Sequence, residues 1–158
     1  MTGFHTRYLS NRQLSAWDMM RTGLSQSEIA RRLNVSRQAV NKMIETIPSK
    51  VATALNDAAA LNRIEPKHLD ASDGVLFGWS RDFQTEAVVA LSPEGGLQVW
   101  YQHNLGKCKI CPDKRECKSL LLETAKRLGV SLTRQERVLD PSELSGLAFS
   151  RVRERRGV

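Results

Sequence analysis

The sequence predicts an α+β fold: a bundle of helices at the N-terminus, then a small antiparallel sheet with helices and a cysteine-rich corner. Three observations predict it. Up to about residue 64, apolar residues recur at helical spacing behind serine caps. Between residues 74 and 103, three short segments rich in valine and aromatics are separated by turn residues. Beyond them Cys108, Cys111 and Cys117 crowd together ahead of two further helical patterns.

The chain has 158 residues, 41% of them apolar, enough for a packed core in one large domain or two small ones. The charge pattern favours two. Residues 1–50 carry 8 Lys and Arg against 3 Asp and Glu, residues 51–104 carry 3 against 7, and residues 105–158 carry 13 against 7. Two basic regions thus flank an acidic middle. We place the boundary near residue 65, with a helical domain over 1–65 and an α+β domain over 66–158 that binds metal, dimerises or senses a signal. The net charge of +7 favours polyanionic partners. No run of 18 apolar residues is present, and MTGFHTRYLSNRQ lacks the apolar core of a signal peptide, so the expected location is the cytoplasm.

The first helix is expected over 10–22. Ser10 and Gln13 form a capping box, Leu14, Trp17 and Met20 share one face, and Gly23 follows. Ser25 and Glu28 open a second helix with Ile29, Ala30 and Leu33 inward; it ends at Asn34, which tolerates positive φ. Ser36 caps a third, in which Val40, Met43, Ile44 and Ile47 point inward and Pro48 is the expected stop. A fourth stretch, VATALNDAAALNRI, carries the narrow stripe Val51, Leu55, Ala58 and Leu61. DGVLFGWS, TEAVVALS and LQVWYQH read as strands, with a hairpin at PEGG, residues 93–96. ECKSLLLETAKRLG is a helix closed by Gly129. Asp140-Pro141 has the N-cap and first-turn chemistry of a last helix. That helix ends in RVRERRGV, where Arg151, Arg153, Arg155 and Arg156 are read either as phosphate contacts or as a frayed basic end.

The second and third helices carry a more specific pattern. Numbered from Gln26, Ala30 is fifth, Asn34 ninth, Val35 tenth, Val40 fifteenth and Met43 eighteenth. This resembles the helix-turn-helix of DNA-binding proteins. A small fifth residue lets the helices cross closely, the ninth makes the turn, and the others fill the seam; glycine is usual at nine, and Asn34 departs mildly. The wider run LSNRQLSAWDMMRTGLSQSEIARRLNVSRQAVNKMI, about residues 9–47, resembles the archaeal Tfx-type DNA-binding proteins. It is similar too to the C-terminal helix-turn-helix of LuxR-type regulators and to the fourth region of bacterial sigma factors. The resemblance implies a DNA-binding transcription regulator. With the seam assigned, Ser36, Arg37, Gln38, Asn41 and Lys42 are left at the start of the second motif helix, the end that enters the major groove. Arg pairs with guanine and Gln or Asn with adenine. Gln26, Arg31, Arg32 and the Ser36 hydroxyl are placed for phosphates.

HNLGKCKICPDKREC gives His103-x4-Cys108-x2-Cys111-x5-Cys117. An odd, clustered set of thiols is a poor disulfide framework. The C-x2-C pair is a knuckle from which two thiolates reach one metal, and Lys107 and Lys109 favour thiolate. With Cys117 from the following helix and His103 from the last strand, the set makes a closed tetrahedral zinc site. The alternative is a [4Fe–4S] cluster, because C-x2-C-x5-C is similar to the end of the cluster loop in endonuclease III-type DNA glycosylases. There a fourth cysteine sits upstream, where this chain offers only His103. Unmetallated thiols acting as a redox switch are a third reading. His5 and His68 have no partners in sequence.

Trp79, Trp100, Tyr101, Phe77 and Phe83 alternate within predicted strands and read as core. Asp70, Asp73, Asp82, Glu86 and Glu94 show no catalytic spacing and read as a solvated face. No nucleophile–base pair, glycine-rich phosphate loop or paired-carboxylate motif is present, so the expectation is a regulator rather than an enzyme. Its partners are double-stranded DNA, a second copy in a homodimer, and the transcription apparatus. The rival readings are a nucleic-acid-processing enzyme or an iron–sulfur redox sensor that uses the helix-turn-helix for docking, and an RNA-binding or scaffold module.

Overall fold

Three serines set where the N-terminal helices begin, and the computed structural model, which describes residues 8–102 and 106–158, has each of them at its cap. Helix α1 spans Asn11–Arg21; the Ser10 hydroxyl accepts from the Gln13 N–H, and the Gln13 side chain accepts from the Ser10 N–H. Helix α2 spans Gln26–Leu33 and is opened in the same reciprocal way by Ser25 and Glu28. Helix α3 spans Arg37–Leu61, and the Ser36 hydroxyl accepts from the Ala39 N–H at 3.1 Å. Each cap supplies a partner to first-turn N–H groups that have none within the helix.

The expected stop at Pro48 does not occur. The third and fourth predicted helices are one helix of 25 residues with Pro48 inside it. A proline there removes a backbone hydrogen bond and crowds the preceding turn, at about 3 kcal/mol. Against that, Val40, Ile47, Val51, Ala54, Leu55, Ala58 and Ala59 form one buried stripe that runs past Pro48 without losing register. Each large side chain in it contributes about 1.5–3 kcal/mol, so burial wins. Leu61, expected in the stripe, is the last helical residue and is 75% exposed.

Four strands follow as an antiparallel meander in the order β1-β2-β3-β4. They are β1 Ile64–Asp70, β2 Val75–Ser80, β3 Thr85–Ser92 and β4 Gly96–Tyr101. Strands β2 to β4 are the three expected ones, and Ser92 faces Gly96 across the predicted hairpin. Strand β1 is additional. IEPKHLD carries a proline and charged residues, which suit an edge: the register slips between Pro66 and His68, where the missing N–H has no neighbour to serve.

Both faces of the sheet are covered. Leu76, Ala87, Val89 and Leu91 pack with Trp17, Ile47, Val51 and Leu55 of the N-terminal helices. Val75, Phe77 and Val88 pack with Leu121, Leu144 and Phe149 of the C-terminal helices. Strand period sends alternate residues to the two layers. Residues on either side of position 65 therefore share one apolar core.

The C-terminal layer consists of α4, Lys114–Arg127, and α5, Pro141–Arg156. The two run side by side in the same direction. Lys114 Nζ meets Asp140 Oδ1 at 2.6 Å where they start, and Arg155 donates to the Gly129 carbonyl where they end. Asp140 precedes Pro141 as expected, but its carboxylate serves Lys114 and makes no cap hydrogen bond. The basic tail is the end of α5, and its arginines are engaged within the fold. Arg151 pairs with Glu136, Arg156 with Asp70 and Asp73, and Arg153 lies 5.1 Å from the Phe77 ring centroid. Among the described residues no helix is long and apolar enough to cross a membrane.

Gly74 lies directly under the Trp17 ring of α1. Its φ is +68°, and a Cβ there would lie 2.5 Å from the Trp17 ring. Gly74→Ala is expected to destabilise the chain by about 2–4 kcal/mol, from left-handed backbone strain and overpacking together. Gly23→Ala, also at positive φ but in open space, should lose only the backbone part, about 1–2 kcal/mol. Denaturant unfolding of both variants measures the difference.

Candidate nucleic-acid interface

Helices α2 and α3 are joined by Asn34, Val35 and Ser36. Asn34 adopts φ 53° and ψ 51°, the left-handed conformation expected of it, and the Val35 N–H donates to the Ala30 carbonyl at 3.0 Å. Ala30 is 6% exposed, Ile29 1% and Val40 0%, which makes them the seam between the two helices. Val35, Met43 and Ile44 are half-buried against the same core. The small fifth residue, the turn and the seam all occupy the places the pattern assigns.

The opposite face is polar. Ser36, Arg37, Gln38, Asn41 and Lys42 are exposed over the first two turns of α3. Arg31 and Arg32 are exposed on α2, and Gln26 is half-buried at its start. The Ser36 hydroxyl already accepts from the Ala39 N–H, which leaves its own proton to donate outward. Asn41 Nδ2 donates to Glu45 Oε1 at 3.3 Å, so one amide proton is engaged along the helix. None of Arg31, Arg32, Arg37 and Lys42 is held in an ion pair among the described residues, in contrast to Arg151, Arg153 and Arg156.

The cysteines lie at the other end of the sheet, where α4 and α5 begin. Cys108 and Cys111 flank one short 3-10 turn, with the Cys111 N–H donating to the Cys108 carbonyl at 3.4 Å. Cys117 follows in α4. All three are free thiols; Cys108 Sγ lies 3.6 Å from Ser142 Oγ, and Cys111 is exposed. Burial pushes the Cys117 thiol up, and Cys108, Cys111 and Asp113 add to it. The three thiols share a corner, yet among the described residues no set of three or more His, Cys, Asp or Glu side chains is gathered to hold a metal. His103, the expected fourth ligand, lies outside the described residues, as does His5.

The aromatics divide. Phe77 is buried and Trp100 packs 6.2 Å from Phe149. Phe83 is 53% exposed beside the Tyr101 ring, and Lys67 Nζ sits 5.2 Å from the Trp79 ring centroid. The acidic residues are not simply solvated. Asp82 pairs with Arg63 at 3.1 Å and Glu86 with Lys67 at 3.0 Å. Asp73 holds Arg21 at 3.2 Å as well as Arg156. Burial opposes the charge on Asp70, but the Asp73 N–H and the Arg156 guanidinium hold its carboxyl below the ordinary value.

The residues that sequence reasoning passed over are Asp18, Arg21 and Arg127. Asp18 Oδ1 meets Arg127 at 2.7 Å, and Arg21 donates to the Arg127 carbonyl at 2.7 Å. Separations above one hundred positions leave no pattern in the sequence to find them. No family model matches the chain, and neither a curated protein nor a solved structure matches it.

The turn is directly testable. Asn34→Gly is expected to leave stability within a few tenths of a kcal/mol, whereas Asn34→Val should lose about 1–2 kcal/mol because a β-branched residue resists the left-handed conformation. Thermal or denaturant unfolding compares the two.

Proposed function

We propose that this chain is a sequence-specific, double-stranded DNA-binding transcription regulator, not an enzyme, in which the start of α3 reads base edges. One observation carries the reading. Ser36, Arg37, Gln38, Asn41 and Lys42 stand outward on a helix start whose opposite face, from Val40 onward, is anchored in the core. A helix presented by its N-terminal end fits the major groove. Arg37, Gln38 and Asn41 have the donors and acceptors for bases, Lys42 adds charge beside them, and Gln26, Arg31, Arg32 and the Ser36 hydroxyl suit phosphates. The N-terminal dipoles of α2 and α3 favour the same anions. Because one short helix reads few base pairs, the reading includes a homodimer on a two-fold site. The transcription apparatus is the further partner, and the cytoplasm the location.

The same reading includes a metal at the cysteine corner, zinc in the first place and a [4Fe–4S] cluster in the second. Cys108, Cys111, Cys117 and His103 would hold it, and its coordination would tie the segment before α4 to that helix. Metal analysis decides it. One zinc per chain is expected, with Cys108→Ser and Cys111→Ser losing the ion and lowering the melting temperature. A brown chain carrying iron points to the cluster. Both variants keeping metal and melting temperature would remove the site altogether.

The DNA reading is tested by separating positioning from recognition. Gln38→Ala and Asn41→Ala should each reduce discrimination at one base pair by about 1–3 kcal/mol. Arg31→Ala should weaken all duplexes alike and lower the salt slope by about one. Binding titrations on a selected and a scrambled duplex at several salt concentrations distinguish the two. If Gln38→Ala and Asn41→Ala both keep the wild-type ratio of selected to scrambled affinity, α3 is not the reader.

A further inference from the structure

Helix α1 is attached to the rest of the molecule in two physically different ways. Trp17 supplies apolar contact, 2% exposed and packed against Gly74, together with one neutral hydrogen bond from its indole N–H to the Ala71 carbonyl at 3.3 Å. The second attachment is a set of charge-assisted contacts to the C-terminal layer. Asp18 Oδ1 meets Arg127 Nη1 of α4 at 2.7 Å. Arg21 Nη2 donates to the carbonyl of the same Arg127 at 2.7 Å and reaches Asp73 Oδ1 at 3.2 Å. Asp73 and Asp70 in turn hold Arg156 of α5. Both guanidiniums flank the Trp17 ring, with Arg21 at 5.8 Å and Arg127 at 5.1 Å from its centroid.

This cluster is not arranged for stability alone. Arg21 and Arg127 have side chains 10% and 12% exposed, and burial together with the Arg21 charge pushes Arg127 below the ordinary arginine value. Arg21 Nε and Arg127 Nη2 are buried with no acceptor among the described residues. Here only the guanidiniums are buried, while Asp18 and Asp73 keep 42% and 33% of their side chains exposed, so the pairs add modest stability and also restrict geometry. Charge-assisted hydrogen bonds to a carboxylate and a carbonyl add to the single Trp17–Ala71 hydrogen bond and tie α1 to α4, which that bond does not reach. Because α1 packs in one core with α2 and α3, fixing α1 fixes the frame in which the start of α3 is presented.

We propose that Asp18, Arg21 and Arg127 form a latch by which the C-terminal layer sets the orientation of α1, and that they are positioning residues for the α2–α3 face. The structural half stands on the contacts alone; the consequence for binding rests on the DNA reading above. Arg127→Met is the informative change. It keeps the stem over Trp17, leaves Asp18 at a site where its side chain is 42% exposed and stays hydrated, and leaves Arg21 paired with Asp73.

The experiment uses the full chain as wild type, Arg127→Met, Asp18→Asn and the charge-exchanged pair Asp18→Arg with Arg127→Asp. Amide hydrogen exchange in α1, α2 and β3 is measured alongside affinity for a duplex selected by the wild type from random DNA and for a scrambled one. Arg127→Met is expected to speed exchange in α1 and α2 about fivefold or more while β3 stays within about twofold, and to lower the selected-to-scrambled ratio about fivefold. The exchanged pair should restore both. Should Arg127→Met fail to fold, Asp18→Asn, which alters only a half-exposed acceptor, gives the same readouts. Unchanged exchange in α1, an equal rise in β3, or no recovery in the exchanged pair overturns the latch. A selected-to-scrambled ratio unmoved by loosened helices overturns its role in positioning. A wild type that selects no duplex overturns the DNA reading instead, and the exchange measurements still decide the latch.

Discussion

The strands carry apolar side chains on both faces, and neither face can be left to water. Leu76, Val89 and Leu91 point one way and Val75, Phe77 and Val88 the other. Two helical layers are therefore required, one from each side of the sheet in sequence, and each must lie flat enough to cover it. Helix α3 covers the first face and the α4–α5 pair covers the second. The positions of α3, α4 and α5 follow from this need for double coverage.

Coverage explains why α3 is long. A helix stopped at Pro48 would leave Val51, Leu55 and Ala58 to a separate element with its own caps and its own freedom. Continued, it spans about 37 Å at 1.5 Å per residue. One rod then joins the exposed polar start at Arg37 to the buried stripe on the sheet. A surface carried on such a rod is held by the sheet's core and not by a loop, and sites built on rigid elements are more sharply defined than sites built on loops.

Charge is distributed by the same architecture. The arginines near the end of α5 meet carboxylates from the β1–β2 turn, β3 and the segment before α5, so much of the C-terminal basic excess is spent internally. The positive charge of Arg31, Arg32, Arg37 and Lys42, in no ion pair among the described residues, stays outward on α2 and α3. Net charge per segment counts both kinds alike, and only the pairing separates a cation that holds the fold from one that is free to meet a partner.

The sequence by itself determined the local structure. Ser10, Ser25 and Ser36 started their helices, Asn34 made its turn, PEGG made its hairpin and Gly129 followed α4, because each acts on hydrogen bonds within a few residues of itself. The outward set on α3 was legible for the same reason: helical period leaves Arg37, Gln38 and Asn41 opposite the seam. Tertiary structure decided the rest. Pro48 was overruled by a buried stripe whose partners are on the sheet, and β1 formed against the preference of IEPKHLD because β2 offered a free edge. The C-terminal arginines and the Asp18–Arg21–Arg127 cluster found partners tens to more than a hundred positions away. Such pairings depend on where the layers come to rest, and no spacing within the chain encodes that.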